Sequence, residues 1–577
     1  MFDYVPPIDD YRFLLTHVLG FDRAMAETGQ EVDGDLAVAV LEEAGRMCAQ
    51  RLHPLNRHGD EQGCRLVDGG VVTPAGFPDA WRDFVAAGWA SMSADPAHGG
   101  QGLPFILQLW LDEMLSATNL SFGLFPGLTR GACEAIAAHA SDALKATWLP
   151  PMVSGAWTGA MALTESGAGT DLALLKTRAA PQADGRYAVT GQKIFISSGD
   201  HDFGGNVIHL VLARLPDAPE GVKGISLFLV PKYLPDAQGD FTVRNSMSVG
   251  ALEKKMGIHA QPTCVMNYDD ATGWLVGEPH KGLAAMFTMM NAERLMVGVQ
   301  GLGVAGAAYQ QAAGYARERL QGRSADGARG PVAIIEHADV RRMLLNIRAF
   351  VEAGRALGGW TALQLDRAHH HPDAAERARA DALVALLTPV VKAAFTDMGF
   401  ESAVQAQQVF GGHGYIREWG MEQYVRDARI AQIYEGTNGV QAMDLVGRKL
   451  ALADGLVVEG YFDLIMADLD AAGTILVAAR TRDALALLRD ATAALRGAGV
   501  TATGAAAVDY LRLFALVSLG WMWTRMAQAA QDDSPLHQAK RAVADYFALR
   551  VLPQAHGLAT GIAAGEASIM ALAADAF

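Results

Sequence analysis

The chain contains few cysteines and less positive than negative charge. Its 577 residues include four cysteines and 47 lysines and arginines against 63 aspartates and glutamates, which gives a formal net charge of −16. Nucleic-acid-binding proteins normally carry a basic face, so we do not expect nucleic acid as a partner. The cysteines are scattered without a CxxC pair, which fits a reduced, cytoplasmic protein, and we predict no metal site. They are Cys48, Cys64, Cys133 and Cys264.

Long uncharged apolar runs are also missing. No stretch of eighteen or more apolar residues lacks charge, so we expect no membrane span. The first seven residues, MFDYVPP, have neither a basic segment nor an apolar segment and do not read as a secretory signal. Apolar residues nevertheless make up 51% of the chain, and its length allows several domains with sizeable cores.

The spacing of apolar residues changes along the chain. Residues 8 to about 150 place them at i, i+3 and i+4, which predicts helices. Between about 156 and 276, short β-branched and aromatic runs separated by Gly, Pro and Asp predict a small β-barrel or sandwich. Helical periodicity then returns and continues to the last residue. We predict an α+β, mostly helical fold with an N-terminal helical domain (1–155), a β domain (156–278), a helical bundle (279–450) and an additional C-terminal helical domain (451–577).

One carboxylate stands in an unusual setting. Glu435 lies between an aromatic residue and a glycine in QIYEGTN, residues 432–438, just after a basic segment with helical character. This setting suits a base that must reach into a closed apolar cavity. A loop glutamate paired with Arg426 or Arg429 is the structural alternative, and this segment taken alone leaves both interpretations open.

Two further blocks precede this one. Residues 160–171 read AMALTESGAGTD, and about twenty-five residues later 191–199 read GQKIFISSG. Together the three blocks resemble the acyl-CoA dehydrogenase family of flavoproteins, whose pattern runs TEPGAGSD, then GxKxWIT, then IYEGT. Three blocks in this order are far more specific than any single short motif. The resemblance covers about residues 80–450, and residues 451–577 resemble the extra helical domain of a longer subfamily that includes 3-methylmercaptopropionyl-CoA dehydrogenases.

The resemblance implies an oxidoreductase of fatty-acid β-oxidation type. Such an enzyme uses non-covalent FAD to convert an acyl-CoA thioester to a trans-2-enoyl-CoA, and it passes the electrons to an electron-transfer flavoprotein. The family also implies a homo-oligomer, dimer or tetramer, because an arginine of one subunit reaches the flavin of a neighbour. An oxygen-reactive acyl-CoA oxidase, a paralogue without turnover and a dehydrogenase specific for 3-methylmercaptopropionyl-CoA remain alternatives.

The resemblance also assigns substrate-site roles. Glu435 would remove the α-proton, and Tyr434 would pack beside the acyl chain. Arg294 matches a family arginine near bound CoA, while Glu293 falls where a minority branch of the family carries its base. We predict that Glu435 is the base and Glu293 its neighbour; an ion pair of Glu293 with Arg294 or Lys281 is the structural alternative. The predicted substrate-binding residues are Thr170, Met290, Glu293, Arg294 and Tyr434.

Flavin contacts follow from the same resemblance. Thr164 and the glycine-rich turn after it would run along the flavin edge, with Ser166 replacing the usual proline. Phe195, in place of tryptophan, would cover the ring, and Ser197 would bond near the atom that receives hydride. Arg319 would reach the pyrophosphate of a neighbouring subunit. The predicted cofactor-binding residues are Met161, Leu163, Thr164, Gly169, Thr170, Phe195, Ser197, Arg319, Gln321, Gln408, Gly412 and Thr437.

Overall fold

The computed structural model describes residues 2–323, 327 and 330–577. The chain forms two compact units. The sheet unit comprises Arg46–Leu103 and Thr118–Met296. The helical unit comprises Met1–Gly45, Pro104–Ala117 and Val297–Phe577.

Helices account for most of the described residues, as the apolar spacing predicts. The α-helices are α1 (Ile8–Phe13), α2 (Phe21–Thr28), α3 (Gly34–Met47), α4 (His53–Gln62), α5 (Phe77–Ala86), α6 (Phe105–His139), α7 (Asp142–Val153), α8 (Gly282–Glu318), α9 (Ala338–His370), α10 (Ala374–Val409), α11 (Met421–Ala431), α12 (Asn438–Gly447), α13 (Leu456–Ala471), α14 (Leu476–Arg496), α15 (Val500–Ala529), α16 (Pro535–Tyr546) and α17 (Gln554–Ala563). Helix α6 is interrupted at Asn119, whose φ of −162° is not helical. The Asn119 side chain accepts a hydrogen bond from the N–H of Phe122 (3.0 Å) and so begins the second part of the helix.

The strands lie mainly in the predicted β region. They are β1 (Arg65–Val67), β2 (Gly70–Val72), β3 (Trp157–Ala162), β4 (Arg178–Pro181), β5 (Tyr187–Ser197), β6 (Asn206–Arg214), β7 (Ile225–Pro231), β8 (Tyr233–Pro235), β9 (Phe241–Arg244), β10 (Met247–Leu252) and β11 (Thr263–Val276). Strands β1 and β2 form an antiparallel hairpin inside the first, otherwise helical region, which the sequence pattern did not indicate.

The main sheet closes on itself. Its seven strands follow the order β10-β11-β5-β4-β6-β3, and β7 pairs with both β11 and β6. Of the two predicted alternatives, a β-barrel or a sandwich, this closed strand order is that of a barrel. Alternate residues of β6 and β7 enter two separate apolar clusters; Val211 and Phe228 belong to one, and Leu210 and Leu227 to the other. Strands buried on both faces read as continuous apolar runs, which is why these two are evident in the sequence.

Glycines let two long helices of the helical unit touch. A Cβ built on Gly301 of α8 would lie 2.4 Å from the Phe395 carbonyl oxygen, and one on Gly399 of α10 would lie 2.4 Å from the Gly301 oxygen. Any side chain at either position would push the helices apart. The GLGVAG sequence at 301–306 has the spacing of a dinucleotide-binding GxGxxG motif, but it lies within α8 and not after a strand. Its first glycine serves helix packing instead.

Buried charges join the C-terminal helices to earlier parts of the helical unit. Lys540 of α16 binds Asp10 of α1 and lies 2.7 Å from Glu352 of α9, while Arg355 binds both Asp10 and Glu113. Burial disfavours ionisation of Asp10, but Lys540 and Arg355 outweigh it and lower its pKa to about 2. The carboxylate therefore stays charged at neutral pH.

Tryptophans anchor the same helices. Trp521 and Trp523 of α15 are fully buried. The indole N–H of Trp523 donates to the Ala349 carbonyl of α9 (3.0 Å), and that of Trp521 donates to Asp468 (2.6 Å). Each indole thus fills the core and satisfies its one donor.

Two helices, α10 and α15, are long and apolar enough by length and composition to span a bilayer. In the most apolar window of each, 83% and 56% of the residues are buried inside the fold. Because a protein core selects the same composition, the two helices are weak evidence for membrane insertion.

Candidate active site

The glycine-rich block begins at the end of β3 and is fastened to β5. The Leu163 carbonyl accepts a hydrogen bond from Lys193 Nζ (2.8 Å), and the Thr164 carbonyl accepts one from the N–H of Ile194 (2.9 Å). Met161, which lies in β3 two residues before Leu163, is half-buried and packs against the neighbouring apolar cluster. The structure thus places the block at residues 160–171 beside the block at residues 191–199.

A buried ion pair sets this junction. Lys193 is fully buried and lies 2.9 Å from Glu165, which also accepts bonds from the Thr177 hydroxyl (2.6 Å) and from the N–H groups of Thr177 and Lys176. Burial lowers the pKa of Lys193 to about 8. Burial also opposes ionisation of Glu165, but Lys193 and the hydrogen bonds prevail and lower the pKa of that carboxyl. We assigned neither residue a role from the sequence, although a lysine inside a strand of the β region was a usable signal.

The turn that follows leaves its backbone accessible. Glu165 and Ala168 exchange both N–H···O bonds (3.1 and 3.0 Å), so the chain reverses at Ser166 and Gly167. Gly169 and Thr170 are exposed, and a Cβ built on Gly167 or Gly169 would meet no atom within 4 Å. Crowding within the chain does not require these glycines, whereas close approach of a ligand to the backbone would.

Phe195 is held in an uncommon conformation. Its φ is +60°, and 59% of the residue is exposed. The pairing of β5 with β11 shifts here, because Cys264 faces Ile196 whereas Met266 faces Lys193, so Phe195 lies in a β-bulge. A left-handed conformation costs a non-glycine residue about 1–2 kcal/mol, and bulges of this kind often re-aim a side chain beside an active site. The W-I-T resemblance did not indicate the bulge.

Ser197 ends the same strand opposite Thr263. Ser197 is half-buried, and the Thr263 hydroxyl is buried. Within residues 2–323, 327 and 330–577, that hydroxyl has no hydrogen-bond partner. Buried polar groups are normally satisfied, so this hydroxyl indicates a place where a ligand or water completes the structure.

Glu435 occupies a second left-handed turn, between α11 and α12. Its φ is +56°, and that of Gly436 is +83°. The Glu435 carbonyl accepts a hydrogen bond from Gln441 Nε2 (3.1 Å), and the Gly436 carbonyl accepts one from Lys392 Nζ (2.8 Å). Glu435 itself is half-buried, while Lys392 and Gln441 are fully buried.

Neighbouring side chains extend this support. Asn438 Oδ1 accepts a bond from Lys392 Nζ (2.8 Å), and Asn438 Nδ2 donates to Asp397 (2.7 Å). The Thr437 hydroxyl, whose residue is exposed, caps α12 by accepting the N–H of Val440 (3.3 Å). Lys392, Asp397, Asn438 and Gln441 are not among the residues predicted from the sequence; the lone lysine within the apolar run of α10 is the one signal that points to this group.

The residues beside Glu435 also have defined contacts. The Tyr434 hydroxyl donates to Gln300 of α8. Arg426 pairs with Glu422 on its own helix, and Arg429 donates to Gln432 (3.1 Å). The two arginines that were possible partners of Glu435 thus each contact a different residue, Glu422 and Gln432 respectively.

Three of the predicted substrate residues, Met290, Glu293 and Arg294, lie in the N-terminal third of α8. Glu293 and Arg294 are buried, with 2% and 6% exposure, and Met290 is half-buried. The Arg294 guanidinium donates to Asn291 Oδ1 (3.3 Å). The Glu293 carboxylate lies over Gly131, where a Cβ would come within 2.6 Å of Glu293 Oε1. Gly131 therefore makes room for this buried acid.

The remaining predicted cofactor residues lie in the helical unit and are exposed. Arg319 and Gln321 follow α8 in a short two-stranded bridge, in which the Gln321 N–H donates to Val332 (2.9 Å). Gln408 is near the end of α10, and a Cβ on Gly412 would meet open space. Among the residues that the structure describes, no group of three His, Cys, Asp or Glu side chains could hold a metal ion.

An aromatic cluster links the end of α8 to the segment after α10. Tyr315 stacks on Phe410 (4.1 Å between ring centroids), and its hydroxyl bonds to His413 Nδ1 (2.9 Å). The His413 ring stacks in turn on Trp419 (4.3 Å). His413 therefore has a structural role in this cluster.

Comparison with known proteins decides the family. The N-terminal, middle and C-terminal domain models of acyl-CoA dehydrogenases match residues 34–156, 160–271 and 280–450, and a model described as acetyl-CoA dehydrogenase C-terminal like matches 461–573. The chain belongs to the acyl-CoA dehydrogenase family. The predicted family resemblance, including the additional C-terminal domain, is confirmed.

Individual relatives agree with this assignment. A 3-methylmercaptopropionyl-CoA dehydrogenase from Ruegeria pomeroyi is 44% identical over 95% of this chain and 96% of its own length. The broad-specificity linear acyl-CoA dehydrogenase FadE5 of Mycobacterium tuberculosis is 32% identical over 96% of both chains. The fold resembles that of Caenorhabditis elegans ACDH-11 solved with C11-CoA, with a TM-score of 0.78, 19% identity, and coverage of 95% of this chain and 92% of that one.

An acyl-CoA dehydrogenase is an FAD-dependent oxidoreductase, and FAD is the cofactor of this chain. The residues present fit that group. The open glycine turn, the projecting Phe195 and the buried Thr263 hydroxyl suit a flat polar ring bound against backbone amides. Exposed Arg319 suits an anionic pyrophosphate.

Proposed function

We propose that this enzyme catalyses α,β-dehydrogenation of an acyl-CoA thioester to a trans-2-enoyl-CoA. The observation that carries the proposal is the left-handed turn at Glu435, the position that matches the family's base. Strain of this kind persists where surrounding groups enforce it, and it concentrates at functional sites.

In this proposal Glu435 removes the α-proton. A thioester α-proton is weakly acidic, so the base must be shielded from water and fixed in direction. The half-buried Glu435, on a backbone held by Lys392 and Gln441, meets the second requirement. Tyr434, restrained by its bond to Gln300, borders the acyl chain. FAD, when bound, supplies the acceptor for the β-hydride.

The other site roles are part of the same proposal. Phe195 and Ser197, with the glycine-rich turn, would hold the flavin ring. Arg319 would reach the FAD pyrophosphate of a neighbouring subunit, and the further proposed FAD contacts are Gln321, Gln408, Gly412 and Thr437. Arg294 would bind the CoA arm. Glu293, which is buried, would bind substrate without acting as the base, because Glu435 occupies the position that matches the family's base.

We also propose a short acyl-CoA as substrate, with 3-methylmercaptopropionyl-CoA as the first candidate. The name of the Ruegeria pomeroyi relative, which matches nearly the whole chain, supports this choice. Electrons would leave to an electron-transfer flavoprotein, and the enzyme would be a cytoplasmic homo-oligomer. We keep the four-domain division at residues 155, 278 and 450 as a proposal, supported by the placement of the four matched segments.

Flavin bleaching tests the proposal directly. The purified yellow enzyme is mixed anaerobically with acyl-CoAs from butyryl-CoA to palmitoyl-CoA and with 3-methylmercaptopropionyl-CoA. We expect bleaching that is reversed by an artificial electron acceptor and only slowly by air; rapid reoxidation in air would indicate an oxidase instead.

The variant Glu435→Gln identifies the base. It should retain FAD while flavin reduction slows by about 10²–10⁴-fold, the usual contribution of a general base. Glu293→Gln is the matched comparison and should slow flavin reduction far less than Glu435→Gln does. The reverse pattern would assign the base to Glu293.

A further inference from the structure

The turn that carries Glu435 is held by two buried side chains from different helices. Gln441 of α12 donates to the Glu435 carbonyl (3.1 Å) and to the Gly436 carbonyl (3.4 Å). Lys392 of α10 donates to the Gly436 carbonyl (2.8 Å). Two consecutive residues with positive φ therefore have both carbonyl oxygens fixed from the side.

Both supporting side chains are costly to bury. Lys392 has no solvent exposure and lies in the apolar part of α10, between Val391 and Ala393. Gln441 is equally buried, and in the described part of the chain its Oε1 has no hydrogen-bond partner, so the residue acts there as a donor. Burying an ammonium and leaving an amide oxygen without a partner both cost free energy, and the hydrogen bonds that these two donors make offset part of that cost.

The support continues along α10. Asn438 accepts from Lys392 and donates to Asp397 (2.7 Å) and to the Thr396 hydroxyl (2.9 Å). Asp397 also accepts from Gln432 Nε2 (2.6 Å), at the end of α11. The backbone on both sides of Glu435 is thus tied to the same stretch of α10.

We propose that Lys392 and Gln441 are positioning residues that hold Glu435 in its left-handed conformation and so direct its carboxylate. This inference rests on the proposed role of Glu435 as the base. At positive φ the Cα–Cβ bond leaves the backbone in a different direction from that of an extended residue. If the two carbonyls were released, the turn would relax toward negative φ and the carboxylate would point elsewhere.

The test uses Gln441→Leu and Lys392→Met in the FAD-loaded enzyme. We expect the limiting rate of anaerobic flavin reduction by acyl-CoA to fall about 100-fold, the effect of misplacing a catalytic group by about 1 Å. The apparent Kd for acyl-CoA and the FAD content should be unchanged. In the Glu435→Gln background, Gln441→Leu should cause no further loss, because the group that it directs is already absent.

Two controls separate positioning from stability. Thr388→Val removes a buried hydroxyl that bonds within α10 (2.7 Å), and Lys540→Met removes another fully buried lysine of the helical unit. Both should lower thermal stability without changing the reduction rate of the folded enzyme. If they slow reduction as much as Gln441→Leu does, the effect is general loosening and the proposal is overturned.

A crystal structure of Gln441→Leu gives a readout independent of activity. We expect a negative φ or alternative conformations at residue 435; an unchanged positive φ would overturn the inference whatever the reaction. Hydrogen exchange over residues 432–441 should also accelerate in Gln441→Leu and Lys392→Met relative to Thr388→Val, and equal exchange would count against the inference. Failure of the unaltered enzyme to bleach with any acyl-CoA would instead refute the proposed function.

Discussion

Lys193 of the sheet unit and Lys392 of the helical unit perform the same task in different ways. Both are fully buried, and each places Nζ 2.8 Å from a backbone carbonyl beside a turn that carries candidate functional residues. Lys193 also forms an ion pair with Glu165, and Lys392 also donates to Asn438, whose amide donates in turn to Asp397. A buried cation can therefore fix a turn on a strand or on a helix, provided that several acceptors surround it.

The largest expected effect comes from removing one partner of the direct pair. Glu165→Ala leaves Lys193 buried without its carboxylate and should lower the free energy of unfolding by about 3–5 kcal/mol. Lys193→Met should cost less, because Glu165 keeps three other donors. Chemical denaturation of both variants measures the difference. Equal losses of unfolding free energy in the two variants would contradict the prediction that an unpaired buried lysine costs more than an unpaired Glu165. The double variant should recover part of the loss from Glu165→Ala.

Raising the pH offers a second way to test the sheet-unit lysine. The pKa of Lys193 is about 8 in the folded protein, against its ordinary 10.5, because burial disfavours the charge. Between these two values the unfolded chain still holds a proton that the folded protein has released. Stability from this group therefore rises with pH through that window, by at most about 1.4 kcal/mol per pH unit.

Denaturation of the unaltered protein and of Lys193→Met at several pH values across this window measures the effect. The unaltered protein should gain stability relative to the variant as the pH rises. Parallel curves would mean that Lys193 keeps its proton.

The smallest effect concerns backbone strain in the two turns. Glu435→Gly and Phe195→Gly remove the cost of a left-handed conformation, about 1–2 kcal/mol. Glycine also makes the unfolded chain more flexible, which destabilises the folded state by up to about 1 kcal/mol. We expect Glu435→Gly to abolish flavin reduction and yet raise the free energy of unfolding by about 0.5–1 kcal/mol. Glu435→Ala, which keeps the strain, should give no such gain in denaturation experiments. Destabilisation by both glycines would mean that the turns are not strained.

The sequence predicts the order of helical and β regions well, because periodicity depends on local spacing. Strands β6 and β7 were evident as apolar runs, whereas the short β1–β2 hairpin carries three residues per strand and too little pattern to detect. The family blocks locate Glu435 and Phe195, but not their positive φ, which depends on neighbours distant in sequence. Lys392 precedes Gly436 by 44 residues, and no spacing rule connects the two.

The contact between Lys540 and Asp10 bears on how this gene can be handled. Deleting all residues after 450 would remove the Lys540 ammonium from two buried carboxylates, Asp10 and Glu352. It would also remove the Trp523 indole that bonds to the Ala349 carbonyl of α9. Anyone seeking a minimal catalytic fragment should therefore expect insoluble material from such a deletion. The C-terminal helices therefore help to hold the rest of the helical unit together.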